Sequence, residues 1–219
     1  MDKQRKKELK KEYLRQELIK QSQSDDEIMA NIARLKLGIP LASLDKNSLS
    51  KLNDADLEGK LLFKIEELIS NRLKSDRSKY EVSIVESLSK EFKLIYYSDL
   101  LHGNIFNGGF ESYYVNTAGC YILDTIEVLR ILNYTEIINL LEKSIGLFIQ
   151  MTKSDKGGYL SGDINFWKQN SEKIDNSYFQ KQAKSLNFDM LDTEFYEIEH
   201  EFTKKRIEFI RSNLSNYEI

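Results

Sequence analysis

Few side chains in this 219-residue sequence could carry out chemistry. It contains two histidines, His102 and His200, and a single cysteine, Cys120. A structural zinc site needs about four Cys or His ligands, so this set predicts no such site. Cys120 has no partner for an internal disulfide and no electropositive neighbour in sequence that would activate its thiol. We therefore expect no metal and no cofactor, with Cys120 a small buried residue ahead of a helix.

Other catalytic motifs are incomplete. Glu197 and His200 form a Glu-x-x-His motif, which di-iron bundles use twice, but the sequence has no second copy. No Gly-x-Ser-x-Gly nucleophile elbow occurs, and neither Gly108-Gly109 nor Gly157-Gly158 has the spacing of a phosphate-binding loop. We expect a protein that is not an enzyme. A hydrolase that uses Cys120 or His200 is the remaining enzymatic alternative.

The charge distribution argues against a nucleic-acid-binding core. Residues 1–20 carry eight Lys or Arg and four Asp or Glu, which leaves −7 on the other 199 residues of a chain whose net charge is −3. Direct binding of DNA or RNA would favour the opposite balance. No apolar run reaches the ~18 residues of a membrane span, and the charged first twenty residues do not resemble a secretory signal. We expect a cytoplasmic protein that binds neither nucleic acid nor membrane.

Apolar residues recur at helical spacing along most of the chain, so the sequence predicts an all-α protein. We predict a compact multi-helix domain over residues 54–219, preceded by a charged helical arm and connector at 1–53. Asp54 is the predicted N-cap of the first domain helix, and residues 80–85 are the one weak strand candidate. The predicted helices cover residues 3–19, 27–37, 55–74, 81–106, 124–132, 136–149, 178–185 and 191–213.

The most distinctive segment begins at Asn107. Asn107, Gly108 and Gly109 tolerate positive φ, so the chain can end one helix there, turn tightly and begin another. Aromatic residues then follow at i, i+3 and i+4 on one helix face, and an asparagine can close the short helix: Phe110, Tyr113, Tyr114 and Asn116. The segment could be a recognition loop, but we favour a structural corner that fixes two helices in the core.

The same segment resembles the signature of a bacterial family of unknown function that is named after a DNA-mimic protein. A second match supports the resemblance: Leu191-Asp192-x-x-Phe195-Tyr196 opens an acidic helix that carries Phe209-Ile210-Arg211 near its end. The resemblance covers roughly residues 55–215. It departs from the family pattern at Asn104, where such proteins often have an acidic residue before Asn-Gly-Gly.

The resemblance implies a helical domain that binds another macromolecule and has no catalytic residues. In a DNA mimic, carboxylates stand where DNA phosphates would be. Glu194, Glu197 and Glu201 lie within a 60° sector of one helix and are ~4.5 and ~6 Å apart along its axis. DNA carries one phosphate per ~3.4 Å on each strand, so this row is sparser. Glu194, Glu197 and Glu201 are our candidate partner-binding residues, with a solvated outer helix face as the alternative.

The leading hypothesis is therefore a non-enzymatic inhibitor that presents an acidic helical surface to a DNA-binding protein with a basic surface. An immunity or antitoxin-type protein that caps a toxin is the alternative, because an acidic helical surface suits that role too. Exposed apolar surface on the helix at 55–74 or on the N-terminal arm could also support a homodimer, although no heptad run requires one.

Overall fold

The computed structural model describes residues 3–24, 26–37, 39–75, 81–117, 119, 121–153 and 183–218. These residues form α-helices and one 3₁₀ helix and contain no strand, which confirms the all-α prediction. The predicted helix at 178–185 lies mostly outside the described residues, and so does Cys120. The helices are α1 (Lys3–Gln21), α2 (Glu27–Leu37), α3 (Lys46–Leu49), α4 (Asp54–Ser75), α5 (Glu81–Glu86), α6 (Lys90–Thr117), α7 (Ile122–Ile131), α8 (Thr135–Lys153) and α9 (Asp189–Ser212), followed by the 3₁₀ helix Leu214–Tyr217.

One helix prediction between residues 81 and 106 is wrong. The single helix predicted over 81–106 is interrupted between α5 and α6, and the described part of the weak strand candidate lies in α5, a short helix. Serine side chains bond to the main chain on both sides of this interruption. Ser87 donates from its hydroxyl to the Ile84 carbonyl at 2.7 Å, and Ser89 accepts from the Phe92 N–H at 3.3 Å as α6 begins.

The start of α4 differs by one residue from the prediction. Asn53 rather than Asp54 provides the cap, because its Oδ1 accepts from the Asp56 N–H at 2.9 Å. The Asn53 amide also donates to the Asp56 carboxylate at 2.6 Å. Asp54 is the first residue of the helix, where its negative charge stabilises the positive end of the helix dipole.

The chain forms two compact units, which are residues 1–88 with 214–219, and residues 89–213. In the first unit α1 lies against α2, and α2 and α5 lie against α4. The connector is fixed to α4 by Glu67, which accepts from the Leu41 N–H at 2.7 Å and pairs with Lys64 at 2.7 Å. The unit boundary near residue 88 falls later in the chain than the boundary at residue 53 that the sequence indicates.

The second unit consists of α6, α7, α8 and α9, with α6 in contact with α7 and α9, and α8 in contact with α7 and α9. Its core is rich in aromatic and branched side chains. Asn133 has a φ of 52° and makes the tight connection between α7 and α8. Fully buried members of this core are Leu94, Ile95, Leu101, Ile105, Phe110, Tyr113, Tyr114, Leu129, Leu141, Phe195, Phe202 and Ile210.

Candidate partner-binding surface

Helix α6 bends sharply at Gly108 and Gly109, as the predicted turn requires. Gly109 has a φ of 71° and a ψ of −174°, a conformation that is essentially restricted to glycine. The Asn116 side-chain amide donates to the side-chain oxygen Oδ1 of Asn104 at 2.7 Å. In a straight helix residues twelve apart are ~18 Å apart along the axis, so this bond is direct evidence that α6 folds back on itself. Asn107 closes the helix before the bend by donating to the Gly103 carbonyl at 2.7 Å.

The aromatic residues after the bend point into the core. Phe110, Tyr113 and Tyr114 are fully buried. The Tyr113 hydroxyl is 3.0 Å from Thr125 Oγ1 on α7, and the Tyr114 hydroxyl is 2.8 Å from Ser144 Oγ on α8. Each tyrosine hydroxyl thus has a hydrogen-bond partner inside the core, as buried polar groups generally do. This placement gives the three aromatic residues a packing role, and none of them is available to a partner.

Asp192 of α9 completes the bend. The Phe110 N–H loses its helical partner at the glycines and donates to Asp192 Oδ1 at 2.8 Å. Burial raises the pKa of the Asp192 carboxyl, and repulsion from Asp189 and Glu111 adds to this effect, while the bond from Phe110 opposes it. A Cβ atom at residue 109 would collide with the Asp192 carboxylate. The position of the Asp192 carboxylate therefore requires a residue without a side chain at position 109.

The two sequence motifs that carry the resemblance meet at this point. The rings of Phe195 and Phe110 are 6.3 Å apart, nearly edge to face. The Tyr196 hydroxyl donates to the Ile105 carbonyl at 3.0 Å, just before the bend. We call Gly109, Phe110, Asp192, Phe195 and Tyr196 the kink joint. The contact between the two motifs could not be predicted from the sequence, because nothing in their spacing pairs residues 82 positions apart.

The candidate partner-binding glutamates lie along one side of α9. Glu194 is paired with Lys143 of α8 at 3.0 Å, and Glu201 lies 3.8 Å from Lys204. The Glu194 and Glu201 side chains are 44% and 57% exposed despite these pairs. Glu197 is exposed and has no ion pair with the described residues. Exposed pairs are worth at most ~1 kcal/mol, so a cationic partner could displace either lysine.

A fourth glutamate of α9 is directed inward. Glu199 Oε1 is 2.6 Å from His102 Nε2 on α6, and Thr203 donates to the same oxygen at 3.3 Å. His200, in contrast, is 88% exposed at its side chain and lies 4.0 Å from Glu201. Within the part of the chain that the structure describes, no group of three or more potential metal ligands is assembled. The Glu-x-x-His motif thus lies on an open helix surface.

Charge is segregated along α9. Residues 189–201 contain six Asp or Glu and no Lys or Arg, whereas residues 202–212 contain four Lys or Arg and one Glu. Acidic residues near a helix N-terminus and basic residues near its C-terminus both stabilise the helix dipole. Part of this pattern therefore serves the helix itself. The helix dipole does not account for the exposed glutamates that lie several turns into the helix, because its effect fades within the first turn.

The neighbouring α7–α8 connection also holds α9. The Tyr134 hydroxyl donates to the Ile198 carbonyl at 2.7 Å, and burial raises its pKa to about 12, so the phenol stays protonated and remains a donor. Lys205 donates to the Asn133 carbonyl at 3.1 Å and lies over the Tyr134 ring. These bonds fix α9 so that the acidic side remains outward. Among the described helices, none combines the length and the apolar composition that a membrane-spanning segment requires.

The segment that contains the glycine bend and the acidic helix matches the model of a DNA-mimic-like class of domains. The chain is a member of the DMP19-like (DNA mimic protein 19-like) family. The family model matches residues 86–213, which is more than half of the chain. No curated protein and no solved structure matches the chain. The matched segment is almost coextensive with the unit of residues 89–213.

Proposed function

We propose that this protein is a non-enzymatic inhibitor that presents the acidic side of α9 to the basic surface of a DNA-binding protein. The observation that carries the proposal is the exposed row of Glu194, Glu197 and Glu201 on a helix that the kink joint connects to α6. Family membership supports a DNA-mimic mode of action. A helix that is already folded and packed is suited to this mode, because its backbone loses little entropy on binding.

The test begins with the partner. The immobilised protein is incubated with a lysate of its native host, and a captured protein is identified and purified. The captured protein is then bound to a labelled DNA duplex. We expect the protein to displace that duplex, with a potency that falls steeply as salt is added, since the contacts are electrostatic. The triple variant Glu194→Gln, Glu197→Gln and Glu201→Gln should lose about tenfold or more in potency, from three pairs worth ~0.5 kcal/mol each.

A matched control separates the surface from net charge. Glu127, Glu136 and Glu142 are exposed on α7 and α8, and their replacement by glutamine removes the same three charges. This control variant should displace DNA as well as the unmodified protein does. Equal potency of the α9 variant and the control would refute the assignment to α9.

The immunity or antitoxin-type alternative predicts a different captured protein. Such a partner would be an enzyme whose activity the protein blocks without competing with DNA. The hydrolase alternative is tested through Cys120→Ser, which we expect to retain full inhibitory activity. Loss of activity in that variant with an intact fold would instead support a thiol-dependent enzyme.

A further inference from the structure

Two aromatic rings lie exposed where α6 meets α9. Phe106 is 58% exposed and Tyr196 is 48% exposed, and their ring centroids are 6.4 Å apart in an edge-to-face arrangement. We call this pair the aromatic patch. Exposure of Phe106 forgoes the free energy that its burial would provide. Exposed aromatic residues of this kind are enriched at protein interfaces.

Both rings are held in place before any partner arrives. The Tyr196 hydroxyl is fixed by its bond to the Ile105 carbonyl at 3.0 Å. Phe106 lies against the His102 ring at 5.8 Å, and His102 is fixed in turn by Glu199 at 2.6 Å. A ring that is already oriented loses little entropy on binding, so the patch is suited to recognise a group of defined shape.

The charge around the aromatic patch has one sign. Residues 94–117 of α6 and 189–203 of α9 together contain eight Asp or Glu and no Lys or Arg. Among the described residues, Lys143 and Lys204 pair with Glu194 and Glu201 of this part of α9. A second copy of the chain would place two such acidic surfaces face to face, which is unfavourable. Charge complementarity therefore selects a cationic occupant.

We propose that the aromatic patch binds an arginine side chain of the protein partner. This inference rests on the proposed function and adds the chemistry by which the partner is selected. A guanidinium group stacks on aromatic faces and is weakly hydrated, whereas a lysine ammonium is compact and strongly hydrated. An aromatic ring surrounded by carboxylates thus favours arginine over lysine, while the carboxylates alone attract both.

The experiment compares two labelled peptides by fluorescence anisotropy at low salt, using the full-length protein. One peptide alternates arginine with glycine, and the other has lysine at every arginine position. We expect tighter binding of the arginine peptide. Phe106→Ala should weaken the arginine peptide about fivefold and the lysine peptide less than about twofold, as expected for loss of one cation–π contact. Phe106→Tyr keeps the ring and should retain the arginine preference.

Controls separate this inference from the proposed function. Leu14→Ala removes another exposed apolar side chain, in the unit of residues 1–88, and should leave both affinities unchanged. The α9 glutamine variant should weaken both peptides alike. If Phe106→Ala binds both peptides normally while the α9 glutamine variant binds neither, arginine recognition by the aromatic patch is refuted. The proposed role of the acidic side of α9 is then retained. Absence of an arginine preference in the unmodified protein refutes it too. Conversion of a dimer to a monomer by Phe106→Ala, seen by sedimentation equilibrium, would assign the patch to self-association.

Discussion

At the scale of single residues, the two neighbouring glycines of the bend have different roles. Gly109 has a positive φ and lies against the Asp192 carboxylate, so both its backbone and its surroundings exclude a side chain. Gly108 has a φ of −177°, which any residue can adopt. A Cβ at position 108 would meet the Ser112 side chain, whose hydroxyl can rotate away and whose Cβ, at 3.1 Å, would have to move only slightly. The sequence Asn-Gly-Gly-Phe therefore contains one obligatory glycine.

This difference is testable by alanine substitution at each position. We expect Gly109→Ala to lower the free energy of unfolding by about 3 kcal/mol or more, from backbone strain and from displacement of Asp192. Gly108→Ala should cost less than about 1 kcal/mol, because alanine also restricts the unfolded chain. Urea denaturation followed by circular dichroism measures both values. Equal losses for the two variants would show that the bend does not depend on the conformation of Gly109.

At the scale of the elements, helical periodicity predicted most of the fold. Helix α2 was predicted with the bounds that it has, and α9 to within about two residues, because both have clear apolar faces. In the sequence, Gly38 and Pro40 also mark the end of α2. The break between α5 and α6 was missed because serine bonds to the main chain leave no mark in an apolar pattern. The short helix α3 was missed because a single turn capped by Asp45 shows no periodicity.

The kink joint shows why a site is harder to predict than its helices. Positive φ at the Asn-Gly-Gly sequence and the outward glutamates of α9 follow from local rules. The bond from the Phe110 N–H to Asp192 depends on tertiary packing, and so does the inward turn of Glu199 toward His102. The family resemblance identified both motifs of the kink joint. Their contact in three dimensions shows that the two motifs form one structural feature.

The link between α6 and α9 predicts a contrast at Asp192. Asp192→Ala removes the acceptor for the Phe110 N–H and should destabilise the protein by about 1–3 kcal/mol, the cost of an unsatisfied buried donor. Asp192→Asn keeps an acceptor and removes a charge that the folded protein disfavours. We therefore expect the asparagine variant to be at least as stable as the unmodified protein at about pH 7.

The sign of the pH dependence follows from the raised pKa of Asp192. The folded state binds this proton more tightly than the unfolded state, so the contribution of Asp192 to stability is lost as pH rises through the folded pKa. The stability advantage of Asp192→Asn over the unmodified protein should thus be larger at about pH 7 than at about pH 4. Urea denaturation of both proteins at each pH measures this difference. An advantage that grows on acidification would contradict the assignment.

At the scale of the whole molecule, the net negative charge lies in residues 86–213, the segment that the family model matches. Residues 86–213 contain 19 Asp or Glu and 14 Lys or Arg, a net charge of −5, while the rest of the chain has a net charge of +2. The kink joint, the aromatic patch and the three candidate glutamates all lie within the matched residues. Everything on which the two proposals depend is therefore contained in this one segment, and the basic arm reduces rather than creates the charge that attracts a cationic partner.

The last prediction follows from this division. Because residues 89–213 form a compact unit with its own core, a fragment of residues 86–213 should unfold cooperatively and retain the helical circular dichroism of α6 to α9. Without the net positive remainder, the fragment should bind the arginine peptide at least as tightly as the full chain does at low salt. Anisotropy titrations of both proteins, alongside thermal unfolding, provide the comparison. A folded fragment with strongly reduced affinity would place part of the binding surface in residues 1–85 or 214–219, and would contradict its assignment to α6 and α9.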